Sequence, residues 1–235
     1  MKKFVKFFSR RRSWSLPYIL FMAVFVVMPL VLIMIYAFQS KDGSFSLENF
    51  QRFINQPEAA NTFIYSIGIA LITTIICLVL GYPAAYILSR LKPSTARLVV
   101  MLFILPMWIN VLVRTLATVA LFDFMSLPLG EGALIFGMVY NFLPFMIYPI
   151  YNVLQKMDGS LIEAAEDLGA TPRQVFMRVV LPLSSPGIVS GIMMVFMPTI
   201  STFAISELLT MNNIKLFGTT IQENINNGMW HYGAA

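Results

Sequence analysis

Five long apolar runs constrain this chain more than any other feature of its sequence. Each run has at least 22 residues, and charged side chains are rare within it. About 20 apolar residues in a helix cross the hydrocarbon core of a bilayer, and only helices or closed barrels satisfy their backbone there. We therefore predict an all-α, polytopic membrane helical bundle that forms one transmembrane domain over residues 1–235. The predicted spans are 16–38, 63–88, 98–122, 133–154 and 186–209.

The composition agrees with an integral membrane protein. The chain is 58% hydrophobic and only 11% charged, whereas soluble domains carry about 25% charged residues. The net charge of +5 does not indicate a nucleic-acid partner, because the basic residues cluster at the ends of apolar runs. The first run follows basic residues, as in a signal peptide, but it is long and no cleavage site follows, so we interpret it as a retained span.

The distribution of Lys and Arg predicts the orientation. Twelve lie on one side of the predicted spans and three, Lys41, Arg52 and Lys215, on the other. Basic residues favour the cytoplasmic side, which predicts that the N-terminus and the segment 155–182 are cytoplasmic. The twelve are Lys2, Lys3, Lys6, Arg10, Arg11, Arg12, Arg90, Lys92, Arg97, Lys156, Arg173 and Arg178.

Segment 155–182 is a charged island with strong local signals for two short helices. A capping box, a glycine stop and a second N-cap followed by proline are present in order. The residues concerned are Ser160 and Glu163, then Gly169, then Thr171, Pro172 and Gln174. So much local order predicts a docking element rather than a solvated connector. Its apolar face would comprise Leu161, Ile162, Ala165 and Leu168 at helical spacing.

The same island resembles a known family. Glu163, Ala164 and Ala165 are followed after three residues by Gly169, and then after nine by Val179, one more residue, Leu181 and Pro182. This spacing resembles the EAA loop of permeases from binding-protein-dependent ABC transporters. Two further stretches, residues 111–115 and 138–146, are similar to the first (B-type) subunit of the spermidine/putrescine permeases.

The resemblance implies a subunit of an ATP-driven importer in the bacterial inner membrane. Its partners would be ABC ATPase subunits, a second permease subunit and an extracytoplasmic substrate-binding protein. The residues expected to couple transport to the ATPase are Glu163, Ala164, Ala165, Gly169, Leu181 and Pro182. Polyamines are the expected substrate. Another small solute, such as iron, a phosphonate or another organic ion, is an alternative. A channel or scaffold without ATP coupling is a further alternative, but no repeated pore helix or ring of like charges supports it.

The sequence contains none of the usual sets of catalytic residues. His231 is the only histidine and Cys77 the only cysteine, which excludes the usual hydrolase and metal constellations. No Walker A loop is present. We therefore expect no enzyme activity, cofactor or metal in this chain, and an ATPase on a separate polypeptide.

Ionisable residues near the predicted outer ends of the spans are candidates for the substrate path, because such residues at membrane depth are costly and often functional. Aromatic rings could assist a cationic substrate. The candidates are Arg114, Asp123, Glu131, Tyr140 and Glu207. The alternative is that Arg114 reaches to the interface and Glu207 merely ends a helix. Prolines within the spans, which predict kinks, are Pro106, Pro144, Pro149 and Pro198.

Five spans are one fewer than permeases with this loop usually have. The segment Gly233–Ala235 is small and apolar, like the start of a further helix. We therefore expect the natural gene to continue through a sixth span and a short basic tail.

Overall fold

A computed structural model describes residues 15–40 and 43–235. The basic residues up to Arg12, and Lys41, on which the predicted orientation partly depends, lie outside the described residues. The described residues form eleven helices and one isolated β-bridge, between Gln39 and Phe45. The helices are α1 (Leu16–Ala37), α2 (Glu48–Asn55), α3 (Pro57–Arg90), α4 (Pro93–Trp108), α5 (Val111–Phe124), α6 (Glu131–Gln155), α7 (Ser160–Asp167), α8 (Pro172–Ser201), α9 (Ala204–Thr210), α10 (Phe217–Asn226) and α11 (Trp230–Ala234).

Four of these helices are long and apolar enough to cross a membrane, namely α1, α3, α6 and α8. The pair α4 and α5 qualifies only when both helices are taken together. The prediction of an all-α membrane bundle is therefore confirmed. Helix α6 is continuous although it contains Pro144 and Pro149. It begins and ends within two residues of the predicted span 133–154.

The third predicted span, 98–122, is not one straight helix. Helices α4 and α5 meet at an angle of 95°. The last turn of α4, Leu105–Trp108, tightens to a 3₁₀ turn that contains Pro106, and Ile109 then becomes extended. Because proline removes a backbone donor and crowds the preceding turn, Pro106 accounts for the site of the break. Hydropathy reports the composition of such a segment but not its direction.

The fifth predicted span, 186–209, is also different in the structure. Helix α8 begins at Pro172, inside the predicted cytoplasmic segment, and ends at Ser201. It continues through Pro182 because residues Phe176–Val180 form a π-helical turn just before the proline, the kind of local widening that lets a helix absorb an irregular residue. The chain breaks after Ser201, where Thr202 is extended, and Glu207 lies on the separate helix α9.

Contacts divide the described residues into two compact units. One unit comprises the described residues up to Ala60 together with Ile221–Ala235, and the other comprises Asn61–Thr220. The single transmembrane domain over residues 1–235 stays a prediction. In the first unit, α11 packs against α1 and α2. In the second, α6 lies at the centre and packs against α8, α9 and α5.

The contact between α6 and α8 depends on small residues. A Cβ atom on Gly187 would lie 2.9 Å from the Pro149 carbonyl oxygen, and one on Gly191 would lie 2.7 Å from the Met146 sulfur. Small residues that let two backbones approach are the usual basis of helix packing in membranes. Ser184 lies on the same face and its hydroxyl is 3.0 Å from the Tyr82 hydroxyl. This packing holds α8, and with it the end of the charged island, against the centre of the unit.

Candidate coupling loop and translocation site

The first helix of the charged island, α7, begins differently from the prediction. Its N-cap is Gly159, and no side chain caps it, so the predicted capping box of Ser160 and Glu163 is wrong. Asp158 instead accepts from the Ser160 backbone N–H at 3.0 Å. This hydrogen bond lowers the pKa of the Asp158 carboxyl. The carboxylate therefore supports the turn above its unfolded pKa, and this support is lost as the pH falls through the lowered value.

The end of α7 is as predicted. Gly169 has a φ of +79°, a conformation that glycine adopts without strain. The Gly169 N–H donates to the Glu166 carbonyl at 2.8 Å, and the Ala170 N–H donates to the Ala165 carbonyl at 3.0 Å. These two bonds form a Schellman motif. Nothing lies within 4 Å of a Cβ placed on Gly169, so the backbone conformation, rather than crowding, is what requires glycine there.

The second helix begins with the predicted cap. The Gln174 backbone N–H donates to the Thr171 hydroxyl at 3.4 Å, and the Thr171 N–H donates to the Gln174 side-chain oxygen at 2.8 Å. These reciprocal bonds are a capping box, with Pro172 in the first helical position. The chain thus turns sharply between α7 and α8 within four residues, 168–171. Backbone hydrogen bonds fix the α7 side of the turn, and side-chain–backbone hydrogen bonds fix the α8 side.

A groove of about 410 Å³ opens at this turn. The end of α7 forms one wall and the start of α8 the other, with the Arg178 side chain among the lining groups. Leu168 is 89% exposed and stands at the edge of the groove. The groove is lined by Ala165, Leu168, Gly169, Ala170, Gln174, Val175, Arg178 and Val179.

The predicted coupling residues fall into two groups. Glu163 and Ala164 are exposed on α7, while Ala165 and Gly169 line the groove. Leu181 and Pro182 lie inside α8 and not at the end of a loop. The predicted apolar face of α7 also divides: Ile162 and Ala165 pack against the buried core, whereas Leu161 and Leu168 are exposed.

The predicted outer ends carry a second set of polar groups. Helices α5 and α9 both follow a break in the chain, and they pack against each other and against α6. The buried side chains of α5 are all polar: Arg114, Thr115 and Thr118. Because ionisable residues at membrane depth are costly and often functional, the buried Arg114 makes this face of α5 a candidate functional region.

Arg114 is the most unusual of these groups. It is only 7% exposed, and its Nε and Nη1 atoms have no hydrogen-bond partner among the described residues. It does not reach to the interface, as the alternative prediction had it. Tyr140, on α6, is 43% exposed, whereas Arg114 is buried.

The three predicted carboxylates occupy different environments. Glu131, the first residue of α6, is exposed and lies in the neighbourhood of Tyr65 on α3. Asp123 is exposed near the end of α5, and Glu207 is half-buried on α9. The loop before Glu131 joins α9, since the Gly130 N–H donates to the Leu209 carbonyl at 3.0 Å. Among the described residues, no ion pair connects these carboxylates to Arg114.

Sequence reasoning missed Asn141. Its side chain is fully buried, its Nδ2 donates to the Gly137 carbonyl at 2.8 Å, and its Oδ1 has no partner among the described residues. The hydroxyl pair of Ser206 and Thr219, at 3.1 Å, was also missed. An amide within an apolar run was the available signal for Asn141, because such a group must find a polar partner once it is buried.

The described residues contain no group of three or more His, Cys, Asp or Glu side chains that could hold a metal ion. Cys77 is buried in α3.

Comparison with known proteins points to one family. Residues 77–234 match the family described as "Binding-protein-dependent transport system inner membrane component". The spermidine/putrescine transport system permease protein PotB of Haemophilus influenzae is 35% identical over 90% of this chain and 82% of its own length. The Escherichia coli protein of that name is 34% identical over 91% of this chain and 86% of its own length. A homologue in Mycoplasma genitalium is 28% identical.

The fold is also similar to that of a solved structure. A bacterial ABC transporter involved in the import of the acidic polysaccharide alginate has a chain that matches with a TM-score of 0.74. The match covers 100% of this chain and 91% of that chain, at 14% sequence identity. At this identity the similarity concerns the fold alone.

Proposed function

This chain belongs to the family of inner membrane components of binding-protein-dependent transport systems, and we propose that it is a permease subunit of an ATP-driven importer for polyamines. It is a multi-pass protein of the inner membrane. The observation that carries the substrate proposal is the 34–35% identity, over about nine-tenths of the chain, to proteins named spermidine/putrescine permeases.

The outer carboxylates support a cationic substrate. Glu131 is exposed at the start of α6, and Glu207 is half-buried on a helix that packs against α5 and α6. Carboxylates at the mouth of a path raise the local concentration of a polycation, and an exposed aromatic ring such as that of Tyr140 can interact with an ammonium group. In this proposal Glu207, with Glu131 or Asp123, receives the polyamine from an extracytoplasmic binding protein.

The turn between α7 and α8 is the proposed docking site for the ATPase. It offers an exposed leucine, a groove with apolar and basic lining groups, and a backbone fixed by a Schellman motif and a capping box. A rigid element of this kind can transmit a displacement, because it does not yield locally when the partner moves. Helix α8 runs from this turn without interruption to Ser201, so a movement at the groove would reach the break before α9.

Uptake measurements test the substrate. A strain without polyamine uptake would express this chain with a second permease, an ATPase and a binding protein from the same genome. We expect saturable, ATP-dependent uptake of labelled spermidine, inhibited by excess putrescine and not by ferric iron or phosphonates. Uptake of labelled phosphonate or iron, with none of spermidine, would contradict the proposal.

A single substitution tests the path. Glu207→Gln keeps the size of the side chain and removes its charge, so we expect spermidine uptake to fall while the assembled complex stays intact. Glu48→Gln, on an exposed helix of the other unit, is the matched control and should transport normally. Unchanged uptake kinetics in the Glu207 variant would remove this residue from the path.

The buried guanidinium of Arg114 favours one alternative substrate, a small organic anion. Its unpartnered N–H groups could hold a carboxylate or phosphonate, because the planar guanidinium matches these groups. The same uptake assay separates the two substrates. Inhibition of transport by an excess of a dicarboxylate or phosphonate, with no inhibition by spermidine, would select the anion.

A further inference from the structure

Helix α2 has two faces with different surroundings. Asn49, Arg52 and Gln56 follow one another at helical spacing on its polar side. Leu47, Phe50 and Ile54 have the same spacing on the opposite side, so that the helix is strongly amphipathic. The two faces of α2 should therefore contact different kinds of partner.

The polar face is already occupied within the first unit. The Asn49 side chain donates to the carbonyls of Ala37 and Gln39, at 3.2 and 3.1 Å. The Arg52 guanidinium lies 4.6 Å from the centre of the Tyr232 ring, and the Tyr232 hydroxyl donates to Gln56 at 2.8 Å. Helix α11 and the end of α1 thus hold the polar face of α2.

The apolar face is uncovered in the chain. Ile54 is 74% exposed and Leu47 is 51% exposed. Phe45, just before the helix, is 79% exposed. The uncovered face continues onto α1 through a row of rings, because Phe38 packs against Phe45 and Phe50 with centroid distances of 5.6 and 5.0 Å.

A groove extends this surface along α1. It has a volume of about 470 Å³ and is lined by Val31, Met34, Ile35, Phe38, Gln39, Gly43 and Phe45. Helix α1 is a candidate membrane span, and none of its most apolar window is buried within the chain. The apolar face of α2 is therefore continuous with the uncovered surface of a candidate membrane span.

The short connections of α2 to α1 and α3 keep it close to the membrane surface. Ten residues separate it from α1, and it ends one residue before α3, so both of its neighbours in sequence are candidate spans. A helix of eight residues would not bind a bilayer by itself, but attachment at both ends supplies a high effective concentration at the surface. Amphipathic helices in this position lie in the interface with their apolar face 5–10 Å below the headgroups.

We propose that α2 lies flat in the outer leaflet, with Leu47, Phe50 and Ile54 among the lipid acyl chains and an acyl chain in the groove beside Phe45. The occupant is lipid rather than a protein because the exposed side chains are aliphatic and aromatic and continue the surface of a membrane span. The helix carries one acidic and one basic residue, Glu48 and Arg52, so the contact does not depend on anionic lipid. The proposal concerns membrane placement and does not depend on the substrate.

Spin labelling of the assembled complex tests this contact. In a Cys77→Ala background, Ile54→Cys and Leu47→Cys place a label on the apolar face, and Asn55→Cys is the matched control one residue away on the polar side. The complex is reconstituted in phosphatidylcholine vesicles. Collisions with oxygen, which concentrates in lipid, are compared with collisions with a water-soluble nickel chelate.

We expect oxygen to dominate at positions 47 and 54 and the nickel chelate at position 55, with the same result when phosphatidylglycerol is added. Dominance of the nickel chelate at 47 and 54 would place this face in water and overturn the proposal. Exclusion of both reagents would show a protein contact, from the second permease or the binding protein, and would also overturn it. Because Leu47 and Ile54 are exposed, the two substitutions should leave folding intact. The same result at both labelled positions would show that it does not reflect a local disturbance caused by one label.

Discussion

At the scale of single residues, Arg114 has the least satisfied environment of the predicted path residues. A buried ion without a partner is unfavourable, because it loses hydration and gains nothing in return. We predict that Arg114→Met, which replaces the guanidinium by a shorter, uncharged apolar side chain, leaves the melting temperature of the purified complex unchanged or higher. Spermidine uptake should be unchanged or higher, because the variant removes a positive charge that repels a polycation. The measurements are thermal unfolding in detergent and uptake in proteoliposomes.

Arg97→Met is the control for this prediction, because Arg97 is exposed at the start of α4. It should change neither quantity. A melting temperature several degrees lower in the Arg114 variant would contradict the prediction, since it would show that the guanidinium has a stabilising partner in the assembled complex.

The positive φ of Gly169 predicts the effect of a substitution at this position. Alanine in a left-handed conformation is unfavourable by roughly 1–2 kcal/mol, and there is free space around the position. Gly169→Ala should therefore distort the turn without a steric clash and reduce the stimulation of ATP hydrolysis by substrate. Gly159→Ala, in the same segment but with a φ of −61°, should retain stimulation. Equal stimulation in both variants would show that the turn does not couple.

At the scale of elements, the packing of α6 against α8 is the feature most sensitive to volume. A methyl group on Gly187 would meet the Pro149 carbonyl oxygen and the Ile150 Cα, which are backbone atoms and cannot move aside. Overpacking of this kind destabilises by about 1–3 kcal/mol. We predict that Gly187→Ala lowers the melting temperature of the complex. Gly68→Ala is the control, because nothing lies within 4 Å of a Cβ at this position on α3, and it should leave the melting temperature unchanged. A similar fall in melting temperature in both variants would contradict the role of close helix approach.

The sequence predicted elements best where one local signal decided the structure. Span 133–154 matches α6, and the cap at Thr171 and the stop at Gly169 are present. The predictions were wrong where two signals competed. Ser160 and Asp158 could both satisfy the start of α7, and Asp158 does so. Pro182 was expected to end a loop, but a π-helical turn carries α8 past it.

At the scale of the whole molecule, the sequence predicted the class of fold but not the direction of its segments. Hydropathy treats α4 and α5 as one span, and only the structure shows the bend of 95° between them. The burial of Arg114 and of Asn141 depends on the packing of helices distant in sequence. These contacts are tertiary, so no local pattern contains them.

The orientation of the whole chain leads to the last prediction. In a Cys77→Ala background, Leu168→Cys places a thiol at the edge of the groove, and Phe124→Cys places one at the opposite, predicted outer side, where Phe124 is 87% exposed. A maleimide that cannot cross membranes should label position 124 but not position 168 in cells whose outer membrane is permeable. Inverted vesicles should show the reverse.

Addition of the ATPase subunit should then slow labelling at position 168. Leu161→Cys provides the comparison, because Leu161 is exposed and lines a different groove, together with Met157 and Leu183; its labelling should be less affected. Labelling of position 168 from outside the cell would reverse the predicted orientation, because the basic residues would then lie on the external side. If the labelling shows the predicted orientation but the ATPase does not slow labelling at position 168, the topology stands and the groove is not the docking site. A partner bound between α7 and α8 must cover the thiol at their turn.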